Sequence, residues 1–363
     1  MKKLLFTILS LSLSLVFALS GCSCAATPQL SFNKAYLEDE NYGGNYFERL
    51  EYLVEYKSSY QSITNTAEID EAKIPQYNGT YVVEFSNSNN TSLPDGVSTD
   101  IDYEPDYHYI KSILTLDVTF DDGTVYNDKI ISEIYFHSKN WSLAPVYSKT
   151  TMKNTYIMVN DETAKEQMIY EFSTLYKKSD YTVTKKYYQK DEKEDINLID
   201  IANTTDADNP NYFNTQKLVA MSGDGESHDY TIRNVVDNVQ LMFAIRNSNI
   251  SDSDSIVLPT TSFAYDSPIS IYASHKNDTD NTISELIYNG ETLQNVNIPV
   301  KNIEFSINST TDKGSPKYLS IQKAEVNGIK NNALIVEYAE PLLSGLSNAG
   351  ALVYKLKQVT ITK

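Results

Sequence analysis

The chain predicts a mainly β protein: a large curved antiparallel sheet or incomplete β-barrel with one principal helix, following an N-terminal signal helix. Three observations carry this. From about residue 46 onward, runs of alternating apolar and polar residues are joined by short polar turns, the pattern of strands with one dry and one wet face. Tyrosine is abundant, 28 residues against 12 Phe and 1 Trp, and a ring with a polar tip suits such strands. Beyond the leader, helical spacing is persuasive in a single stretch, Val235 to Arg246.

Taken in order, Leu50, Tyr52, Val54 and Tyr56 alternate with Glu51, Leu53, Glu55 and Lys57, and Tyr81, Val83 and Phe85 make a second strand. The longest run sets Ile110, Ser112, Leu114, Leu116, Val118 and Phe120 opposite Lys111, Ile113, Thr115, Asp117 and Thr119. Asp121-Asp122-Gly123 supplies turn chemistry, and Ile130 to Phe136 returns as the partner strand of a hairpin. Further strands are expected at Pro145 to Met152, Tyr156 to Val159, Ile169 to Tyr176 and Tyr181 to Tyr188. Residues Asn203 to Arg233, rich in Asn, Asp, Gly and Ser, read as a long loop. In the helix that follows, Asp237 is a candidate N-cap, and Val239, Leu241, Met242 and Ile245 are apolar anchors. Strands resume near Ile269 to Ala273, Ile283 to Tyr288, Val296 to Ile307, Tyr318 to Gln322, Leu334 to Tyr338 and Ala351 to Ile361. Asn289-Gly290 is a hairpin signal. Leu352, Tyr354 and Leu356 share one register and Val359 and Ile361 the other, which predicts a bulge near Lys357.

The start of the chain has its own logic. Met1-Lys2-Lys3 precedes an apolar run from Leu4 to Leu19 that is short for a permanent span of the ~30 Å bilayer core. Leu19-Ser20-Gly21-Cys22 resembles the lipobox of bacterial lipoproteins. The resemblance implies a signal peptide over 1–21, cleavage before Cys22 and a covalent diacylglycerol on the Cys22 thiol. It also implies an extracytoplasmic protein attached to the membrane through its lipid, since two acyl chains anchor stably where one is marginal. Residues 22–45 read as a flexible tether and 46–363 as the antiparallel β domain, with a division into two halves near 203–233.

Composition narrows the partners. Lys2 and Lys3 leave with the signal, so the mature balance is 28 basic against 48 acidic residues, a net charge of −20. Nucleic acid is not an expected partner, because phosphate binding needs clustered Lys and Arg. Acylation of Cys22 leaves Cys24 without a disulfide partner in the chain, so packing must supply stability.

The strand Ile130 to Phe136, the run Leu143-Ala144-Pro145-Val146-Tyr147-Ser148-Lys149 and the helix Asp237 to Arg246 together resemble uncharacterised Gram-positive lipoproteins with a lipoprotein-carrier-like β domain. The likeness spans about residues 105 to 363. It implies a curved sheet wrapped around a helix, a possible shelter for an acyl chain, and Gram-positive origin, and it carries no catalytic residues. Val239, Met242 and Ile245 are then the candidate ligand-binding positions. The polar loop Ser251 to Ser255 departs from the pattern.

Catalytic and metal signals are sparse. His108, His137, His228 and His275 show no metal-ligand spacing. Ser227 and His228 stand beside carboxylates, but no nucleophile elbow occurs and triad members meet in space from separate elements. Asp100, Asp102, Glu104 and Asp106 fall at steps of two and are weak calcium candidates lacking the full EF-hand pattern, as do Asp278 and Asp280. Asp252 and Asp254 read as a solvated loop. No cofactor beyond the lipid is expected. The leading expectation is a non-enzymatic surface lipoprotein that binds an apolar or envelope-derived ligand, such as a lipid, in a curved sheet. An adhesion or assembly module acting through its outer face is the second reading, and a wall-directed hydrolase the third.

Overall fold

A computed structural model of the chain describes residues 46–57, 75–87, 92–101, 107–137, 143–157, 165–177, 180–189, 213–219, 235–246, 250, 255–261, 268–307, 317–329, 334–344 and 347–362. The leader, Cys22 and the tether lie outside the described residues. So do His228, Asp252 and Asp254.

Among the described residues, fifteen strands form one sheet. The first eight are β1 (Phe47–Lys57), β2 (Gln76–Ser86), β3 (His108–Thr119), β4 (Val125–His137), β5 (Ala144–Ile157), β6 (Lys165–Tyr176), β7 (Asp180–Gln189) and β8 (Phe213–Val219). After β9 (Val236–Asp237), a 3₁₀ turn over Asn238–Gln240 leads into the short helix α1 (Leu241–Arg246). The chain ends in β10 (Ser255–Thr261), β11 (Ile269–Tyr288), β12 (Glu291–Ile307), β13 (Lys317–Gln322), β14 (Ile335–Ser344) and β15 (Ser347–Thr362). The strand order is β8-β7-β6-β5-β4-β3-β2-β1-β15-β14-β13-β12-β11-β10-β9. Almost every pairing is antiparallel and between sequence neighbours. The exceptions are the long-range β1–β15 pair and two short parallel contacts, β9–β10 and β11–β15.

Alternation builds these strands as expected. Along β3, Ile110, Ser112, Leu114, Leu116 and Val118 are buried while Thr115 and Asp117 face water. In β1 the buried parity of Leu50, Tyr52 and Val54 extends back to Glu48. The turn at Gly123 has φ of 80°, and Asn289 and Gly290 take φ of 49° and 87°, the left-handed pair that a tight hairpin needs. The bulge falls at Lys357: Glu51 opposes Gln358 and Tyr52 opposes Leu356, so Lys357 has no partner in β1.

Several element boundaries differ from the sequence expectation. Pro145 to Met152 and the described start of the expected Tyr156 to Val159 strand, Tyr156 and Ile157, belong to one strand, β5, and Ile269 to Ala273 and Ile283 to Tyr288 to another, β11; residues 158 and 159 lie outside the described residues. The polar middle of β11, from Lys276 to Asp280, is exposed; beyond a bulge at Lys276 it pairs with β12 from Asn277 to Asp280, so ladder hydrogen bonds rather than apolar burial carry it. Residues 213–219 of the expected loop form β8 on the β7 edge. Strand β10 follows the Ser251 to Ser255 stretch, which was expected only as a loop, and its Ser255 already pairs with Ser274. The expected helix over Val235 to Arg246 is helical only from Asn238, because Val236 and Asp237 pair with Thr260 and Thr261.

Two closures curl the sheet. The tip of the β11–β12 hairpin returns to β15, where Asn289 N–H donates to Val359 O at 2.9 Å and Ile361 N–H donates to Asn289 Oδ1 at 2.7 Å. The pairings β15–β14–β13–β12–β11–β15 therefore run full circle. At the far edge, β9 lies against β5 and the 3₁₀ turn against β4, so the edge strand folds back over the first half of the sheet. The main core is enclosed between them, from Leu50 and Phe85 through Ile134 and Phe136 to Phe243, Ile303 and Leu356. Among the described residues no helix is long and apolar enough to cross a membrane.

Candidate functional site

Helix α1 sits over the inward faces of the strands because Asp237 holds its start. The Asp237 carboxylate is buried and accepts from Ser148 Oγ at 2.6 Å, Tyr176 Oη at 2.6 Å and the Val239 N–H at 2.8 Å. Tyr176 also shares a hydrogen bond with Thr261 Oγ1 at 2.5 Å. Side chains of β5, β6 and β10 thus meet at the residue that caps the 3₁₀ turn. Burial raises the Asp237 pKa, and the hydrogen bonds from Ser148, Tyr176 and Val239 oppose that rise. Gln240 Nε2 adds a bond to Leu143 O at 2.7 Å.

Beneath the helix is a cavity of about 130 Å³. From β1 it takes Glu48, Leu50 and Tyr52, from β2 Tyr81, Val83 and Phe85, and from β3 Ile110, Ser112 and Leu114. Ile130 and Ser132 of β4 and Thr150 and Met152 of β5 complete one wall. Ile335, Tyr338 and Glu340 of β14 and Tyr354 of β15, which continues the sheet beyond β1, extend it, and α1 with its preceding turn supplies the roof. These residues share the inward parity of their strands, which is why local alternation brings seven strands to one hollow.

The cavity has two chemical regions. Near the roof, Phe243 stacks on Phe85 with ring centroids 4.7 Å apart. At the C-terminal end of α1 the Arg246 guanidinium donates to Glu48 Oε1 at 2.6 Å, each side chain 3% exposed. Tyr46 Oη donates to the other Glu48 oxygen at 2.8 Å, and the guanidinium lies 5.2 Å from the Phe243 ring centroid. The second region is a cluster of tyrosines: Tyr81 and Tyr354 meet edge to face at 5.3 Å, and the tilted pairs Tyr338–Tyr354 and Tyr52–Tyr81 lie at 5.1 and 5.9 Å. Tyr338 hydrogen-bonds Glu340 and Tyr81 hydrogen-bonds Ser112. The Tyr354 hydroxyl is buried without a hydrogen-bond partner. Burial pushes the Tyr81 phenol up to about 12. It holds Tyr52, Tyr338 and Tyr354 well above the usual phenol range, and the Glu340 charge adds to the effect at the last two. All four are neutral at physiological pH.

Of the positions singled out from sequence, Val239 and Met242 line the cavity. Ile245 is 1% exposed within the core and does not line it. Asp100 is exposed, and Asp102, Glu104 and Asp106 lie outside the described residues. Asp278 is paired with Lys323 and, at 3.0 Å, with His275. His108 and His137 come onto neighbouring strands, with His108 between the rings of Phe85 and Phe136 at 6.0 and 5.3 Å. Desolvation, with a smaller contribution from His137, lowers the His108 pKa to about 4. Among the described residues no group of three or more His, Cys, Asp or Glu could hold a metal ion.

The charged and tyrosine residues of the cavity escaped sequence reasoning. For Glu48 a signal existed: it stands two residues before Leu50, on the inward parity of β1. Glu340 likewise follows Tyr338 by two. No local signal pairs Arg246 with a carboxylate 198 residues away.

No family model matches the chain, and no curated protein matches it in sequence. Among solved structures the chain is similar to a β-barrel-like protein of a domain of unknown function from Brucella abortus. The TM-score is 0.42 and the identity 8%, over 87% of this chain and 98% of that one.

Proposed function

We propose that the protein is a non-enzymatic surface lipoprotein, held to the outer side of the cell membrane by a diacylglycerol on Cys22, whose curled sheet binds a small, largely apolar ligand under α1. The observation that supports ligand binding is the cavity itself: seven strands and a helix converge on a hollow whose walls are mostly apolar and aromatic, with a few convergent polar groups. Its size limits the occupant. An apolar cavity of ~150 Å³ takes benzene, so about 130 Å³ suits one ring, one compact branched group or the end of a chain rather than a whole acyl chain.

Two measurements test this reading. Native mass spectrometry with organic extraction of the purified mature protein should reveal a small bound molecule, or added toluene should raise its melting temperature. A protein that is empty and indifferent to every small apolar compound would overturn the binding reading. Separately, Cys22→Ser should move the protein from the membrane fraction to the soluble one. Unmodified Cys22 in wild-type protein from membrane extracts would overturn the anchor.

A further inference from the structure

One row of the cavity wall breaks the apolar pattern of its strands. Ser112, Ser132 and Thr150 stand opposite one another across β3, β4 and β5, and all three line the cavity. The inward rows on either side are apolar here: Ile110 is paired with Ile134, and Leu114 with Ile130, which is paired in turn with Met152. A hydroxyl in such surroundings costs free energy unless it is hydrogen-bonded. Two of the three are satisfied within the wall. Ser112 hydrogen-bonds Tyr81, and Thr150 Oγ1 donates to Ser132 Oγ at 3.0 Å.

Ser132 is the member of the row that opens onto the hollow. From Asp128 to Phe136 the inward positions of β4 are buried except Ser132, which is half-buried, and because it lines the cavity its accessible area faces the occupant. Its oxygen accepts from Thr150, so its own hydroxyl hydrogen is the one that can be donated into the cavity. A purely apolar occupant would cover that donor and leave it unpaired, whereas an occupant with an acceptor would satisfy it. A carboxylate acceptor would find its counter-charge already engaged: among the described lining residues the cationic side chain is Arg246, which donates to Glu48 at 2.6 Å. A neutral carbonyl needs no counter-charge, and on a compact apolar body it fits a volume of about 130 Å³.

We propose that the cavity takes a compact neutral carbonyl compound, its apolar body packed under α1 and its carbonyl oxygen accepting from the Ser132 hydroxyl. The proposal rests on the reading of the cavity as a ligand site. It is tested by calorimetric titration of the mature protein with two probes of one shape: cyclopentanone, and methylenecyclopentane, in which a CH₂ group replaces the carbonyl oxygen. Ser132→Ala should weaken cyclopentanone binding about fivefold and leave methylenecyclopentane unweakened. A second measurement uses the wild-type protein and stands even if that variant does not fold. The carbonyl carbon resonance of bound, isotopically labelled cyclopentanone should lie downfield of its position in hexane, as a hydrogen-bonded carbonyl does. A hexane-like resonance, or a Ser132→Ala variant that binds both probes as the wild type does or weakens both equally, would overturn the carbonyl proposal and leave the cavity as a ligand site. The same holds if methylenecyclopentane or toluene binds and cyclopentanone does not. If all three fail to bind, both readings fall.

Discussion

At the scale of single residues, the most consequential pair is Glu48 and Arg246, because two nearly inaccessible charges depend on each other. Removing one partner leaves the other buried and uncompensated, which typically costs about 3–5 kcal/mol. Glu48→Gln or Arg246→Met alone should therefore lower the denaturant midpoint sharply. The double variant should recover much of the loss, and additive losses would show that the pair is not coupled. His108 makes a second prediction. Its folded pKa of about 4 lies below the ~6.5 of an unfolded histidine. The unfolded chain thus binds more protons between those values, so the contribution of His108 to stability is complete above pH ~6.5 and is lost as pH falls towards 4. His108→Phe should flatten that part of the stability–pH curve. An unchanged slope would mean that other groups dominate it. Gly79 is explained by space: a Cβ there would collide with the Thr115 carbonyl oxygen, so Gly79→Ala should destabilise by about 1–3 kcal/mol in a thermal melt.

At the scale of elements, the six-residue helix α1 is too short to be stable alone. Its position depends on Asp237, whose carboxylate joins β5, β6 and the 3₁₀ turn. Asp237→Ala would remove the cap and leave the Ser148 and Tyr176 hydroxyls without that acceptor. A loss of about 2 kcal/mol or more is expected, with increased amide exchange in residues 238–246. Protection equal to wild type would mean that packing of Phe243 and Ile245 alone holds the helix. The sequence pattern identified this element and its cap, but not its brevity. Asp237 has cap chemistry wherever it stands, whereas pairing of Val236 and Asp237 with β10 is a tertiary contact that takes two residues from the helix. The same reason explains β8 and β10: each is a short segment whose partner strand, not its own period, makes it a strand.

At the scale of the whole molecule, β15 joins the two halves of the sheet, pairing with β1, β14 and the tip of β11. A chain ending before residue 347 should lose cooperative folding altogether, read as disappearance of a sigmoidal unfolding transition by circular dichroism. A retained sharp transition would show that the β1–β8 half folds independently.

Period-two alternation, turn chemistry and tyrosine abundance determined that this chain makes a curved antiparallel sheet, because these signals are local: each strand records its own wet and dry faces. The lipobox-like start is local too, and it carries the expectation of an anchor at Cys22 without help from the fold. Tertiary structure alone decided how the sheet closes, which inward residues share a hollow, and that Arg246 meets Glu48 inside it. The physical reason is that parity along a strand says which face a side chain takes, while curvature and long-range register decide what stands opposite it.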